Sequence, residues 1–152
     1  LSTVSQSSQI VNFAAMLCLA FSNAGQVLIA QALGAKKHKE MNDLTNKLAQ
    51  KEFLSAKLYY NLGTYLGNNY LSAEIIAKNA LKNYPTNAYQ EDLNWIILQA
   101  KYQQMLNSVE EKREDRAREA EDEYYNFTTE YPNSKHRNTA DRIQKKKKKI
   151  LQ

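Results

Sequence analysis

Two histidines, one cysteine, a stretch of interleaved acids and bases, and a run of five lysines are the groups here whose types could do chemistry. His38 and His136 stand in basic, turn-like contexts with no Cys, Asp or Glu at a ligand spacing beside them, so surface positions are expected rather than metal ligation. Cys18 is the single cysteine, which excludes a disulfide framework and a CxxC metal or redox motif. A lipid-anchor site wants a small residue before the Cys, whereas "MLC" supplies Leu17, and Cys18 reads as a small buried hydrophobe. There is no P-loop, no GxGxxG and no nucleophile elbow. The carboxylates of "EEKREDRAREAEDE" alternate with bases at i,i+3 and i,i+4, the pattern of a solvated helix face with weak ion pairs. No reaction, metal or cofactor is implied by these groups, and a non-enzymatic chain is expected.

The basic run admits two readings. Lys145, Lys146, Lys147, Lys148 and Lys149, with Arg137 and Arg142 before them, carry enough charge to hold nucleic acid or anionic lipid. Against that, no aromatic residues interleave for base stacking, and cations at a helix C-terminus complement its dipole. The seven cations are therefore expected to be exposed together as a docking edge for an acidic protein surface, with nucleic acid the disfavoured partner.

These groups need a scaffold, and composition indicates which. In 152 residues there are four Gly and two Pro, which favours helices throughout. The net charge of +5 is uneven, since Leu1 to Ala35 contains no charged side chain. That break separates residues 1–41 from 42–152. Ile10 to Leu33 would span roughly 36 Å as a helix, enough for a hydrocarbon core of about 30 Å, and Lys36, Lys37, His38 and Lys39 supply a positive flank. Its Asn and Gln residues also suit a segment that caps a repeat stack. A signal peptide is not expected, because no basic n-region leads the run and the run is too long. "AFSNAGQVLIAQALGAKKHKEMN" resembles a transmembrane helix and loop of the multidrug and toxin extrusion (MATE-type) transporters. One helix cannot transport, because such folds need many around a central site.

The remainder repeats. Sliding by 47 residues places Tyr70, Ala73, Ala77, Ala80, Tyr84 and Pro85 onto Ala117, Ala120, Tyr124, Phe127, Tyr131 and Pro132. The spacing of 3, 4, 3, 4 marks one helix face, closed each time by Tyr-Pro, where proline cannot continue the helix. Upstream, Leu54, Ala56, Lys57 and Leu62 recur 44 residues later as Leu98, Ala100, Lys101 and Leu106, which puts three extra residues in the second connection. "GTYLGNN" falls at the turn between two such helices. The stretch from Glu91 to Leu106 has two apolar stripes, Leu93, Ile96, Ile97, Ala100 and Trp95, Leu98, Tyr102, Met105, as a helix sandwiched between neighbours should. The prediction is an all-α chain: a tetratricopeptide-like stack of antiparallel helical hairpins around Lys47–Tyr84 and Ala88–Tyr131, with a capping helix from Lys135 and a neutral hydrophobic N-terminal helix.

"AKLYYNLGTYLGNNYLSAEIIAKNALKNYP" and "SVEEKREDRAREAEDEYYNFTTEYPNSKH" resemble the C-terminal repeats of the BamD family, the tetratricopeptide lipoproteins of the outer-membrane β-barrel assembly machinery. The resemblance covers residues 42–152. It implies a scaffold that docks the periplasmic domains of the barrel insertase or accessory lipoproteins at the periplasmic face of the outer membrane. The family's lipobox cysteine and N-terminal repeats have no counterpart here. A transporter-like helix and an outer-membrane-machine repeat do not share one natural topology, so the sequence also reads as a chimera. The competing function is a membrane fragment, in the inner membrane if residues 10–33 insert.

Overall fold

The computed structural model describes residues 25–31, 34 and 38–150. Among them all regular structure is helical and no strand occurs. The chain divides into two compact units, Leu1–Leu48 and Ala49–Gln152. In the first, residues 25–31 are helical, and Gly25 lies so close to Leu48 that a Cβ there would meet its Cδ1 at 3.0 Å. The neutral helix expected over Ile10–Leu33 falls mostly outside the described residues, as does Cys18. No helix among the described residues is long and apolar enough to cross a membrane.

Five helices complete the described chain: α1 His38–Leu62, α2 Asn69–Asn83, α3 Gln90–Leu106, α4 Glu110–Glu130 and α5 Arg137–Ile150. Their order agrees with the two expected hairpins and the final helix, although α1 begins well before Lys47. Local chemistry sets the boundaries. Asn68 caps α2 by accepting the Leu71 N–H at 3.3 Å. α3 and α4 start with Glu91, Asp92 and Glu110, Glu111, acids that suit the positive end of a helix dipole. α2 and α4 stop the same way: Tyr84 (φ −129°, ψ 66°) and Tyr131 (φ −124°, ψ 67°) leave helical backbone ahead of Pro85 and Pro132. Each tyrosine N–H still donates at 2.9 Å, to Ala80 O and Phe127 O. The residue before proline is disfavoured in helical backbone, so the stop is built into the dipeptide.

The turn between α1 and α2 needs glycine at its first position. Gly63 has φ 57°, and a Cβ there would sit 2.8 Å from the Tyr70 hydroxyl.

The 3, 4, 3, 4 face is the packing face of both second helices. Ala73, Ala77, Ala80 and Tyr84 are buried, as are Ala117, Ala120 and Phe127. The two stripes of α3 divide as expected. Leu93, Ile96 and Ile97 join Ala56, Ala73, Ala77 and Ala80 in one core, with Phe53 and Tyr60 against it. Trp95 and Leu98 join Phe127 and Ala140 in a second, and Tyr102 and Met105 join Ala117 in a third.

The register of the first helices is corrected. At an offset of 44, Leu54 would match Leu98 and Lys57 would match Lys101. Yet Leu54 and Lys57 are exposed while Leu98 and Lys101 are buried. An offset of 42 matches the environments instead: Phe53, Ala56 and Tyr60 fall on Trp95, Leu98 and Tyr102, the residues each helix turns toward its own partner helix. The extra residues are then not in the connection, which is the shorter of the two. They are Glu110–Asp115, an N-terminal extension of α4 with no counterpart in α2.

Candidate functional site

Helices α1 and α3 and the turn before α5 enclose a cleft of about 210 Å³. α1 contributes Phe53, Lys57, Tyr60 and Asn61; α3 contributes Asp92, Trp95, Ile96 and Gln99. Two of the matched pairs, Phe53 with Trp95 and Lys57 with Gln99, therefore line the same wall. Phe53 is held by stacking on Tyr89, with centroids 5.3 Å apart.

His136 closes the cleft, and here the expectation of a surface histidine is corrected. Its ring stacks on Trp95 with centroids 4.7 Å apart and planes within 4°, and its Nε2 lies 3.5 Å from Asp92 Oδ1. The backbone fixes this placement. His136 N–H donates to Ser134 Oγ at 2.9 Å, and that hydroxyl donates to Glu91 Oε1 at 2.7 Å. Lys135 Nζ sits 2.9 Å from the same Asp92 oxygen. Burial pushes the Asp92 carboxyl up, but the hydrogen bonds and charges of Lys135 and His136 outweigh it and hold the group below the ordinary aspartate range. Trp95 and His136 are 41 residues apart, so no local pattern announced the pair.

The cleft has an aromatic floor, two amides and one ammonium, Lys57, whose Nζ lies over the Phe53 ring at 5.9 Å from its centroid. No nucleophile–base pair is assembled in it. No cluster of His, Cys, Asp or Glu suited to a metal ion occurs among the described residues.

The basic helix does not present its cations as one set. Lys147 is buried, its Nζ 2.8 Å from Glu121 Oε2 and 3.5 Å from Ala117 O, and this corrects the expectation that all seven are exposed. Gln144 donates to the other Glu121 oxygen at 2.6 Å. The Glu121 carboxyl is held low, first by the Lys147 hydrogen bond. Arg137 is half-buried and committed, donating to Thr128 O at 3.1 Å and pairing with Asp141 at 3.3 Å. Arg142, Lys145, Lys146 and Lys148 are exposed, and the first three share one helix face at i, i+3 and i+4. The side chain of Lys149 lies outside the described residues.

Part of the charged stretch on α4 is tied into the fold. Arg118–Glu114 at 2.6 Å is the exposed i,i+4 pair expected there. Arg116, by contrast, donates to Ser108 Oγ at 2.6 Å and Gln104 O at 3.2 Å, closing the α3–α4 turn. Glu119 pairs with Lys101 at 3.0 Å, and Lys101 lies 3.5 Å from Glu74, which accepts from Gln104 at 2.6 Å and Lys78 at 2.7 Å. Burial pushes Glu74 up, but these donors hold it below the ordinary range. Glu123 takes the opposite course and is pushed up, chiefly by burial. The network ties α2, α3 and α4 together in a way that charge periodicity could not show.

No protein-family model matches this chain, and no curated protein matches it.

Proposed function

We propose that the chain is a non-enzymatic, tetratricopeptide-like scaffold resembling the C-terminal part of BamD-type assembly lipoproteins. It docks acidic surfaces of the barrel insertase's periplasmic domains or of accessory lipoproteins, at the periplasmic face of the outer membrane. The observation that carries the reading is the division of labour on α5. Lys147 and Arg137 hold the helix to α4, while Arg142, Lys145 and Lys146 point outward together with no ion pair among the described residues. A helix that spends two cations on anchoring and leaves three on one free face presents a fixed electrostatic edge. The cleft between α1 and α3 adds a place for an extended segment of the same partner.

Rim charges act on association rate and salt sensitivity more than on the bound state. Replacing Arg142, Lys145 and Lys146 together with Gln should weaken capture of the insertase's periplasmic domains most at low salt, with the helical spectrum unchanged. A random-duplex shift assay and anionic vesicles run alongside. Duplex or vesicle binding without capture of the protein overturns the reading.

A further inference from the structure

Where the two hairpin turns come together, four pieces of chain bound a pocket of about 190 Å³. Thr64, Gly67 and Asn68 come from the α1–α2 turn, Gln104 from α3, Asn107 from the α3–α4 turn and Arg116 from α4. None of the six carries a carboxylate, so the guanidinium is the one full charge in this lining. The pocket shares no residue with the cleft or with the basic face of α5.

Hydrogen bonds position the guanidinium without exhausting it. Arg116 Nη1 donates to Ser108 Oγ at 2.6 Å and to Gln104 O at 3.2 Å. Nε and Nη2, the parallel donors that grip two oxygens at once, have no partner among the described residues. Neighbouring acids are spent elsewhere, Glu114 on Arg118 and Glu119 on Lys101. Glu110, Glu111 and Asp115 are exposed, yet none lines the pocket and none forms an ion pair with Arg116.

The rest of the lining supplies further donors. Asn68 Oδ1 accepts the Leu71 N–H at 3.3 Å, which leaves its NH2 as the unspent end. The Thr64 hydroxyl has no partner among the described residues. Asn107 spends one amide hydrogen on Gln103 O at 2.8 Å and keeps the other. Donors from three segments around an unpaired guanidinium suit a tetrahedral oxyanion. A planar carboxylate has two oxygens, which the arginine fork alone would satisfy. Space agrees: at about 30 Å³ per water, 190 Å³ holds roughly six, room for a phosphate group and the first carbons attached to it.

We propose that this pocket binds one phosphate monoester, on a small soluble molecule or at the head of a lipid. Tyr65 and Leu66, on the turn that supplies Thr64 and Gly67, are 67% and 90% exposed, and a lipid source would bring them against the bilayer.

Phosphorus NMR of methyl phosphate with the full chain, in low-salt buffer free of phosphate, tests it. The line should broaden on binding, and acetate should compete at least about tenfold more weakly. Asn68→Asp keeps a good helix cap but exchanges the free NH2 for a carboxylate oxygen, and should weaken binding about tenfold or more with the circular dichroism spectrum unchanged. Arg116→Lys keeps the charge and loses the fork, and should weaken it likewise. Arg118→Gln, which removes an exposed base from the same helix, should not. Phosphatidylcholine vesicles with added phosphatidic acid identify the source. Pelleting with them that Asn68→Asp abolishes supports a lipid head, and methyl phosphate binding without pelleting supports a soluble ester. No broadening, equal competition by acetate, or indifference to both Asn68→Asp and Arg116→Lys overturns the proposal. So does an equal loss with Arg118→Gln, which would mean a diffuse attraction to the charged helix.

Discussion

Helices α1 and α3 turn matched residues toward their own partner helices, yet α3 is covered on two sides and α1, over the same stretch, on one. The difference lies in neighbours, not in intrinsic pattern. Leu54 and Ile96 are both aliphatic and occupy the same register, but one faces the alanine stripe of α2 and the other does not. An apolar side chain contributes what its environment allows and no more.

The largest expected effect tests that contrast directly. Ile96→Ala should cost about 2–5 kcal/mol in urea melts, the range for deleting a buried aliphatic side chain, whereas Leu54→Ala should stay within about 0.5 kcal/mol. Similar costs at the two sites would break the matched register.

Overpacking sharpens the comparison from the other direction. Ala77 and Ala120 are both buried where second helices meet their neighbours, so enlarging either to Leu should destabilise by roughly 1–3 kcal/mol. Denaturant midpoints unmoved by both changes would show that these faces are looser than their burial implies.

A smaller effect is expected at Lys101. Its partner Glu119 is mostly exposed, so Lys101→Met should cost only about 1–2 kcal/mol at neutral pH. The pH profile identifies the cause. Glu74 is held below its unfolded value, so its contribution is present above about pH 4.5 and is lost as pH falls through the lower folded value. Removing Lys101 reduces that depression. Wild type and variant should therefore differ at neutral pH and converge in acid. A gap that persists unchanged to pH 2 would mean the lysine acts through packing alone.

Short-range chemistry sets the limit on how much of this fold a sequence can disclose. The 3, 4, 3, 4 faces, the Tyr-Pro stops and the double stripe of α3 depend on spacing within one helix, and each was legible. The first-helix register was not, because α1 carries apolar residues on both sides and a side chain does not record whether a neighbour covers it. Lys147 was hidden for a related reason: its long apolar stem crosses a buried surface while its ammonium still reaches Glu121, so a lysine run can contain an anchor. The stacking of Trp95 on His136 depends on a turn that brings distant residues together. Residues 10–24, where a neutral helix was expected, lie outside the described structure.

The paired exits at Tyr84 and Tyr131 share nearly the same backbone angles although α2 has 15 residues and α4 has 21. A stop written in two residues and read locally does not depend on how long a helix has run. The direction in which the chain leaves is thereby uncoupled from the length of the helix behind it, and growth is accepted at the start of the helix, where α4 carries Glu110–Asp115. Hairpins of this kind can be lengthened at one end without re-aiming the next helix, which makes the start of each second helix the natural graft point for recombination or engineering.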